Sequence, residues 1–351
     1  MSDLSQPDRL AGAPHPRECR EFIGQEEAEQ AFLDAIGSGR LHHAWLLGGM
    51  QGVGKATLAY RIARFLLAEG AGQGADARRP ASLDVPADHP ATRLVAAMSH
   101  PGLFVLRRQP ATEKKAASTT IPVDQVRRAI DMFSTTAGTY RICIVDSAED
   151  LAKEGANALL KVIEDPPPRS LFLIVAHEPR RVMPTIRSRC RQLALKPLEE
   201  SSIMRILRMN KGEGLDADVA AAAVARADGS ARRAFELLDA GKIAVLETTE
   251  ALLSVLPRED LPRTLALAEK LSRKDAEEEY ELVLDAVQRW VSGVIRRQAG
   301  EGAARLAPLV EVCEKFARSA READQFNLDR RPVILTMFRD LAGAARTLGP
   351  V

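Results

Sequence analysis

The run Ala44-Trp45-Leu46-Leu47-Gly48-Gly49-Met50-Gln51-Gly52-Val53-Gly54-Lys55-Ala56-Thr57 decides the fold. Its first four residues form an apolar block of strand length. Gly49 through Lys55 then fits seven of the eight positions of G-x-x-x-x-G-K-[ST], the phosphate-binding loop. From Lys55 to about Leu67 the chain reads as a helix. Strand, Gly-rich loop and helix in that order are the context the loop needs. Glycines let the backbone turn its N–H groups inward, and the helix start adds partial positive charge. Gly49, Gly52, Val53, Gly54, Lys55, Ala56 and Thr57 are the loop's candidate nucleotide-binding residues.

The eighth position departs from the pattern. A hydroxyl belongs there to ligate Mg²⁺, but the chain has Ala56, with Thr57 one place late. The strand Arg141-Ile142-Cys143-Ile144-Val145 leads into Asp146, where such a protein holds its metal. Ser147 follows, where an acid would orient the attacking water. Loss of a positioned base costs roughly 10²–10⁴ in rate.

Working outward, residues 25–38 read as a helix with Ala28, Phe32 and Ile36 on one face. Leu103–Leu106, Ile142–Val145 and Leu171–Val175 are apolar runs, as in strands covered on both faces. Asp124 is the expected N-cap of a helix opened by Pro122, and a helix over 156–164 is stopped by Pro166-Pro167-Pro168. Residues 70–92 read as an exposed insertion and 109–120 as a polar loop. Strands alternating with helices predict a doubly wound parallel sheet. After Pro197 only helical periodicity is found, with Leu284, Val287, Val291 and Val294 as one stripe. The expected fold class is α/β followed by all-α. Its expected parts are a P-loop module over 1–197, a helical lid over 198–242 and a helical bundle over 243–351.

The 351 residues carry a net charge of +1 and only 4% aromatics, so any nucleic-acid contact has to come from a local patch. No run of 18 apolar residues appears, and no membrane contact is expected. Four cysteines, at 19, 143, 190 and 313, have no metal-knuckle or disulfide spacing, which fits a reducing cytoplasm. His42, His43 and His177 read as structural. No metal ligand set is expected.

Two more constellations stand out. Ser188-Arg189-Cys190 places an arginine near a strand edge, where it could reach a neighbour's γ-phosphate. In Gly229-Ser230-Ala231-Arg232, Gly229 ends one helix, Ser230 caps the next, and Arg232 projects from its first turn. Arg127 and Arg128 form an adjacent basic pair, candidates for backbone phosphate of DNA.

These pieces, with Phe22-Ile23-Gly24-Gln25, Gly39 to Leu47, Ala156-Asn157-Ala158-Leu159-Leu160-Lys161 and Glu164-Asp165-Pro166-Pro167, resemble the clamp-loader branch of the AAA+ ATPases. The delta-prime family of bacterial DNA polymerase III is the nearest match, densest over residues 20–240. The resemblance implies an AAA+ module, a lid and a collar of helices joining subunits in a hetero-pentamer. The implied partners are ATPase motor subunits, delta, a sliding clamp and primer–template DNA. It implies that Arg189 acts in trans as an arginine finger, that Arg232 is the lid's sensor 2, and that sensor 1 falls at Ala176-His177. The chain's own site is then expected to lack hydrolysis. ATP with Mg²⁺ stays open as a cofactor there. Zinc is not expected, because residues 68–100 lack the cysteines of the family's knuckle. Two alternatives remain: an active motor in which Thr57 and another acid replace the missing groups, and a small-molecule P-loop kinase.

Overall fold

The computed structural model describes residues 10, 12–69, 80–109, 118–134, 140–273, 275–298, 303–326 and 328–348. Two compact units are found, Met1–Glu236 and Leu237–Val351.

The first unit contains five parallel strands: β1 (Ala44–Gly48), β2 (Leu103–Leu106), β3 (Arg141–Val145), β4 (Ser170–Ala176) and β5 (Arg191–Ala194). Their order across the sheet is β2-β3-β4-β1-β5. Side chains alternate between faces along each strand. Trp45, Leu47, Ile142, Ile144, Leu171 and Leu173 fill one core with α1 (Glu26–Gly37), α2 (Lys55–Glu69) and α3 (Pro90–Ala96). Leu46, Cys143, Val145, Phe172 and Ile174 fill the other with α4 (Val123–Ser134) and α5 (Lys153–Glu164). Both faces are covered, so β1, β3 and β4 are buried at every residue. This is why they read as unbroken apolar runs.

Arg141 is the exception at the start of β3. It is buried, and its guanidinium donates to Phe133 O at 2.7 Å and Pro168 O at 3.0 Å, satisfying carbonyls at a helix end and a turn. A short helix α6 (Pro184–Arg187) leads toward β5. Three further helices close this unit: α7 (Glu200–Lys211), α8 (Ala217–Ala225) and α9 (Ala231–Glu236).

The second unit is helical throughout: α10 (Ala240–Ser254), α11 (Leu261–Leu271), α12 (Glu277–Gln298), α13 (Ala303–Gln325) and α14 (Arg331–Leu348). Val287, Val291 and Val294 of the expected α12 stripe are buried, with Tyr280 and Val283 extending it. Leu284 is only partly buried at its edge. No helix of the described residues is long and apolar enough to cross a membrane. Among those residues no group of three His, Cys, Asp or Glu could hold a metal ion.

Three local expectations change. Asp124 is not the N-cap of α4; the helix already includes Val123, and Asp124 lies in its first turn. The 70–92 segment is not wholly exposed. Leu83 and Ala91 are buried in the core beside α2, and α3 begins at Pro90. Residues 70–79 of that segment, and 110–117 of the expected polar loop, lie outside the described residues. β5 escaped notice because Arg191-Gln192-Leu193-Ala194 is an edge strand with exposed positions. Such a strand lacks the apolar run that marked its neighbours.

Phe172 is fully buried and stacks on Phe133 with centroids 4.7 Å apart. Phe172→Ala is expected to cost about 3–5 kcal/mol, from lost transfer energy plus a residual cavity. Urea unfolding of the full chain measures it.

Candidate functional site

Four sets of the site's polar groups hang from the C-terminal ends of strands. β1 runs into the phosphate loop, β2 into Arg107-Arg108, β3 into Asp146-Ser147, and β4 into His177. With the N-terminal segment and α7 and α9, these residues line a cavity of about 350 Å³. Ligands of open parallel sheets bind at strand C-termini.

The loop is held in place by close approaches. Gly49, Gly52 and Gly54 have φ of 144°, 84° and 100°, a region that favours glycine. A Cβ on Gly52 would lie 2.1 Å from Ser230 Oγ and 2.6 Å from Arg232 Cβ, so α9 sits directly on the loop. Ala231 N–H donates to Gly52 O at 3.1 Å. Ser230 caps α9 as its sequence position foretold, accepting from Arg233 N–H at 3.2 Å. Phe22 packs against Gly54. The buried Gln25 amide donates to Val53 O at 3.3 Å and Lys196 O at 2.6 Å. These contacts explain what Phe22 and Gln25 of the Phe22–Gln25 run do: they brace the loop and tie it to the segment leading into α7.

Lys55 is 3% exposed, and its Nζ donates to Gly49 O at 2.7 Å and Met50 O at 2.6 Å. Burial lowers its pKa to about 8, against the opposing pull of Glu149 and Asp146. Asp146 lines the same cavity. Ser147 takes a left-handed conformation, φ 60°, ahead of a single 3₁₀ turn at Ala148–Asp150. Its Oγ lies 3.2 Å from His177 Nε2. Glu149, two residues on, is the carboxylate nearest to a replacement for the missing acid. Its Oε1 accepts from the backbone N–H groups of His177 at 2.7 Å and Glu178 at 3.0 Å. That oxygen is committed to the turn after β4.

The chain itself supplies little of a magnesium site. Ala56 offers no oxygen, and the Ser147 hydroxyl is turned to His177. Asp146 keeps the expected type, and Glu149 Oε2 is buried without a hydrogen-bond partner. A Mg²⁺ ion held by one or two carboxylates takes the rest of its octahedron from water and phosphate oxygens. Burial raises the Cys19 thiol of the same cavity to about 11.

The arginines divide into two groups. Arg232 lines the cavity and donates to Glu236 Oε1 at 2.8 Å, both side chains being about one-third exposed. Arg107 and Arg108 also line it. Arg108 pairs with Asp150 at 3.0 Å while remaining 46% exposed. Arg189 is not a cavity residue. It precedes β5 at the sheet edge, donating to Thr185 O at 3.0 Å and pairing with Glu164 at 2.7 Å, both side chains roughly 40% exposed. Arg127 and Arg128 are exposed on α4 and engage Asp124: Arg127 its carboxylate at 3.5 Å, Arg128 Nε its carbonyl at 3.3 Å.

Several contributors had little sequence signal. Arg61 and Arg64 are buried on α2. Arg61 donates to Arg20 O at 2.8 Å, and Arg64 to Arg17 O at 3.0 Å and Cys19 O at 2.6 Å, holding the N-terminal segment beside the cavity. Two arginines three apart inside an apolar helix were the available clue. Arg107-Arg108, just after a strand, were another. His177 was marked by the resemblance, but its contact with Ser147 carried no signal, since the two are 30 residues apart in sequence.

The family profile described as "DNA polymerase III, delta subunit" matches residues 24–199, half of the chain. The chain belongs to that family. It is 37% identical to the DNA polymerase III subunit delta′ of Pseudomonas aeruginosa over 169 residues, 47% of each chain. It is 28% identical to the DNA polymerase III subunit tau of Escherichia coli over 291 residues, 80% of this chain and 42% of that one. The chain spans about half the length of the curated relatives it matches. A solved gamma-subunit-related protein of DNA polymerase III from Thermotoga maritima aligns over 89% of this chain and 99% of its own. That alignment has a TM-score of 0.40 and 16% identity.

Two measurements follow from this geometry. Gly52→Ala combines a left-handed φ with the collision against α9, and is expected to cost about 1–3 kcal/mol in chemical unfolding. His177 is held near pKa 4, first by burial and then by the charge of Lys55. The unfolded imidazole gains its proton near 6.5 and the folded one only near 4. Its contribution is therefore lost as pH falls through that window. His177→Gln should reduce the drop in Tm between those two pH values relative to the parent chain.

Proposed function

We propose that this protein is a clamp-loader subunit of the DNA polymerase III holoenzyme. It helps load a sliding clamp onto primed DNA, does not hydrolyse ATP itself, and supplies Arg189 to the ATP site of a neighbouring subunit. Family membership supports the polymerase III setting, and the chemistry of the two arginine groups supports the division of labour. On this reading the partners are motor subunits and delta in a hetero-pentamer, a sliding clamp and primer–template DNA, in the cytoplasm.

The position of Arg189 carries the argument. Register places Arg191 beside Trp45 and Ala194 beside Gly48. The phosphate loop begins beyond Gly48, so the start of β5 lies about 13 Å from it along the strands at about 3.3 Å per residue. Arg189 lies before that start, outside the chain's own cavity and on the surface. A guanidinium there serves a phosphate brought by another subunit. Its bond to Glu164 explains a use for the Glu164-Asp165-Pro166-Pro167 run, since α5 ends where the arginine needs an anchor. The degraded metal site accords with a subunit that no longer turns over nucleotide. Residues 1–197 act as the P-loop module, 198–242 as the lid and 243–351 as the collar. Arg127 and Arg128, exposed on α4, are the proposed contacts to DNA backbone phosphate.

Arg189→Ala in a reconstituted loader is expected to lower clamp- and DNA-stimulated turnover at the adjacent site by roughly 10³-fold or more. Arg189→Lys should not restore it, because an ammonium lacks the bidentate fork. Steady-state phosphate release measures both. An unchanged rate in the alanine variant rules out the trans role.

A further inference from the structure

The pocket lacks the loop hydroxyl that a divalent cation takes, yet its walls are built for an anion. Five cationic side chains line it against three carboxylates. Lys55 comes from the loop, Arg232 from the lid, and Arg107 and Arg108 from the end of β2. The last two matter most. They stand at a strand C-terminus beside Asp146, in the neighbourhood where a P-loop protein places its metal and that metal's ligands. The wall made by the N-terminal segment and α7 is mixed: Phe22, Ile23, Ile206 and Met209 are apolar, and Glu18, Arg20, Glu21 and Asn210 are polar. A cavity with cations gathered at the strand ends, and with apolar and hydrogen-bonding groups on the facing wall, matches a nucleotide, with phosphates at the first and a base at the second.

We propose that this pocket binds a nucleoside triphosphate without a divalent cation, with Arg107 and Arg108 supplying the counter-charge that Mg²⁺ supplies elsewhere. The bound nucleotide then acts as a structural ligand, bridging the loop, the lid and the N-terminal segment. The existing pairings do not oppose this. Arg108–Asp150 is a partly exposed ion pair, and Arg232–Glu236 is an i,i+4 pair with both side chains about one-third exposed. Pairs of that kind contribute little and exchange readily for a polyphosphate. Lys55 needs only to turn its ammonium from its own loop's carbonyls toward phosphate oxygens.

The proposal concerns the chain's own pocket, whereas the Arg189 experiment reads a neighbour's turnover, so neither result decides the other. The test is calorimetric titration of the purified full chain with ATPγS, once in excess EDTA and once in excess Mg²⁺. The affinity is expected to agree within about threefold, the scale of ordinary salt screening. The double variant Arg107→Gln, Arg108→Gln is expected to bind at least about tenfold more weakly in EDTA, as loss of charge-assisted contacts predicts. Inorganic tripolyphosphate, which has no base, is expected to bind more weakly than ATPγS. Failure to bind in EDTA, or binding that appears only with Mg²⁺, overturns the proposal. A folded double variant with parental affinity overturns the role of the arginine pair. Tripolyphosphate binding as tightly as ATPγS overturns the assignment to a nucleotide. If the double variant does not fold, the parent chain's EDTA and Mg²⁺ titrations still decide the metal question.

Discussion

A strand buried on both faces has only its ends for polar side chains. β1, β3 and β4 obey that constraint at every residue, and the molecule's chemistry follows from it. Unpaired charge inside such a layer is too costly. The phosphate loop, Asp146, Ser147 and His177 therefore gather where the strands stop. Parallel pairing puts those stops at one edge of the sheet, so residues from positions 49 to 177 meet without any local sequence relation. The same pairing puts Arg189 at the other end of β5. One topology thus separates two features: a pocket at the strand C-termini and a surface arginine near a strand start.

Within the pocket, burial and charge compete, and burial prevails at Lys55 and His177. Lys55 and His177 are both shifted toward their neutral forms, with desolvation as the first cause. For His177 the neighbouring Lys55 adds to the effect; for Lys55 the carboxylates of Glu149 and Asp146 oppose it without reversing it. A cationic pocket of this sort gains most from an anion that restores the lost solvation of several donors at once. The same reasoning explains why the Ser147 hydroxyl does not form part of a metal site. Ser147 has found a protein partner in His177, and drawing it off would leave part-buried groups unsatisfied.

The sequence disclosed what is periodic or local and concealed what is neither. β1, α2, β2 and the long helices were legible because burial on both faces, or on one stripe, leaves a period in the residues. The glycines of the loop were legible because positive φ demands them. β5 was not, because an edge strand needs no apolar run. Asp124 was misread because a residue type favoured at a cap is also favoured in the first turn, where its charge complements the helix dipole. The contribution of Arg61, Arg64, Arg107 and Arg108, and the contact of His177 with Ser147, were hidden for a different reason. Each acts through a partner distant in sequence, and an isolated arginine or histidine carries no mark of what will fold against it. Ser230 was legible as a cap, but not its contact with Gly52, since that close approach exists only once α9 has packed on the loop.

The strength of the Arg189 pairing bears on the role proposed for it. A guanidinium sealed against a buried carboxylate would be well positioned but could not leave, because the exposed partner would be stranded in low dielectric. A wholly free one would be mobile and would lose conformational entropy on engaging a phosphate. Arg189 lies between these limits: it is oriented by Thr185 O and Glu164, yet both members of the ion pair are partly in water. Glu164 can be left behind at little cost because water takes over its solvation. An arginine with this environment is directed without being trapped, which is what a group acting on another subunit's triphosphate requires.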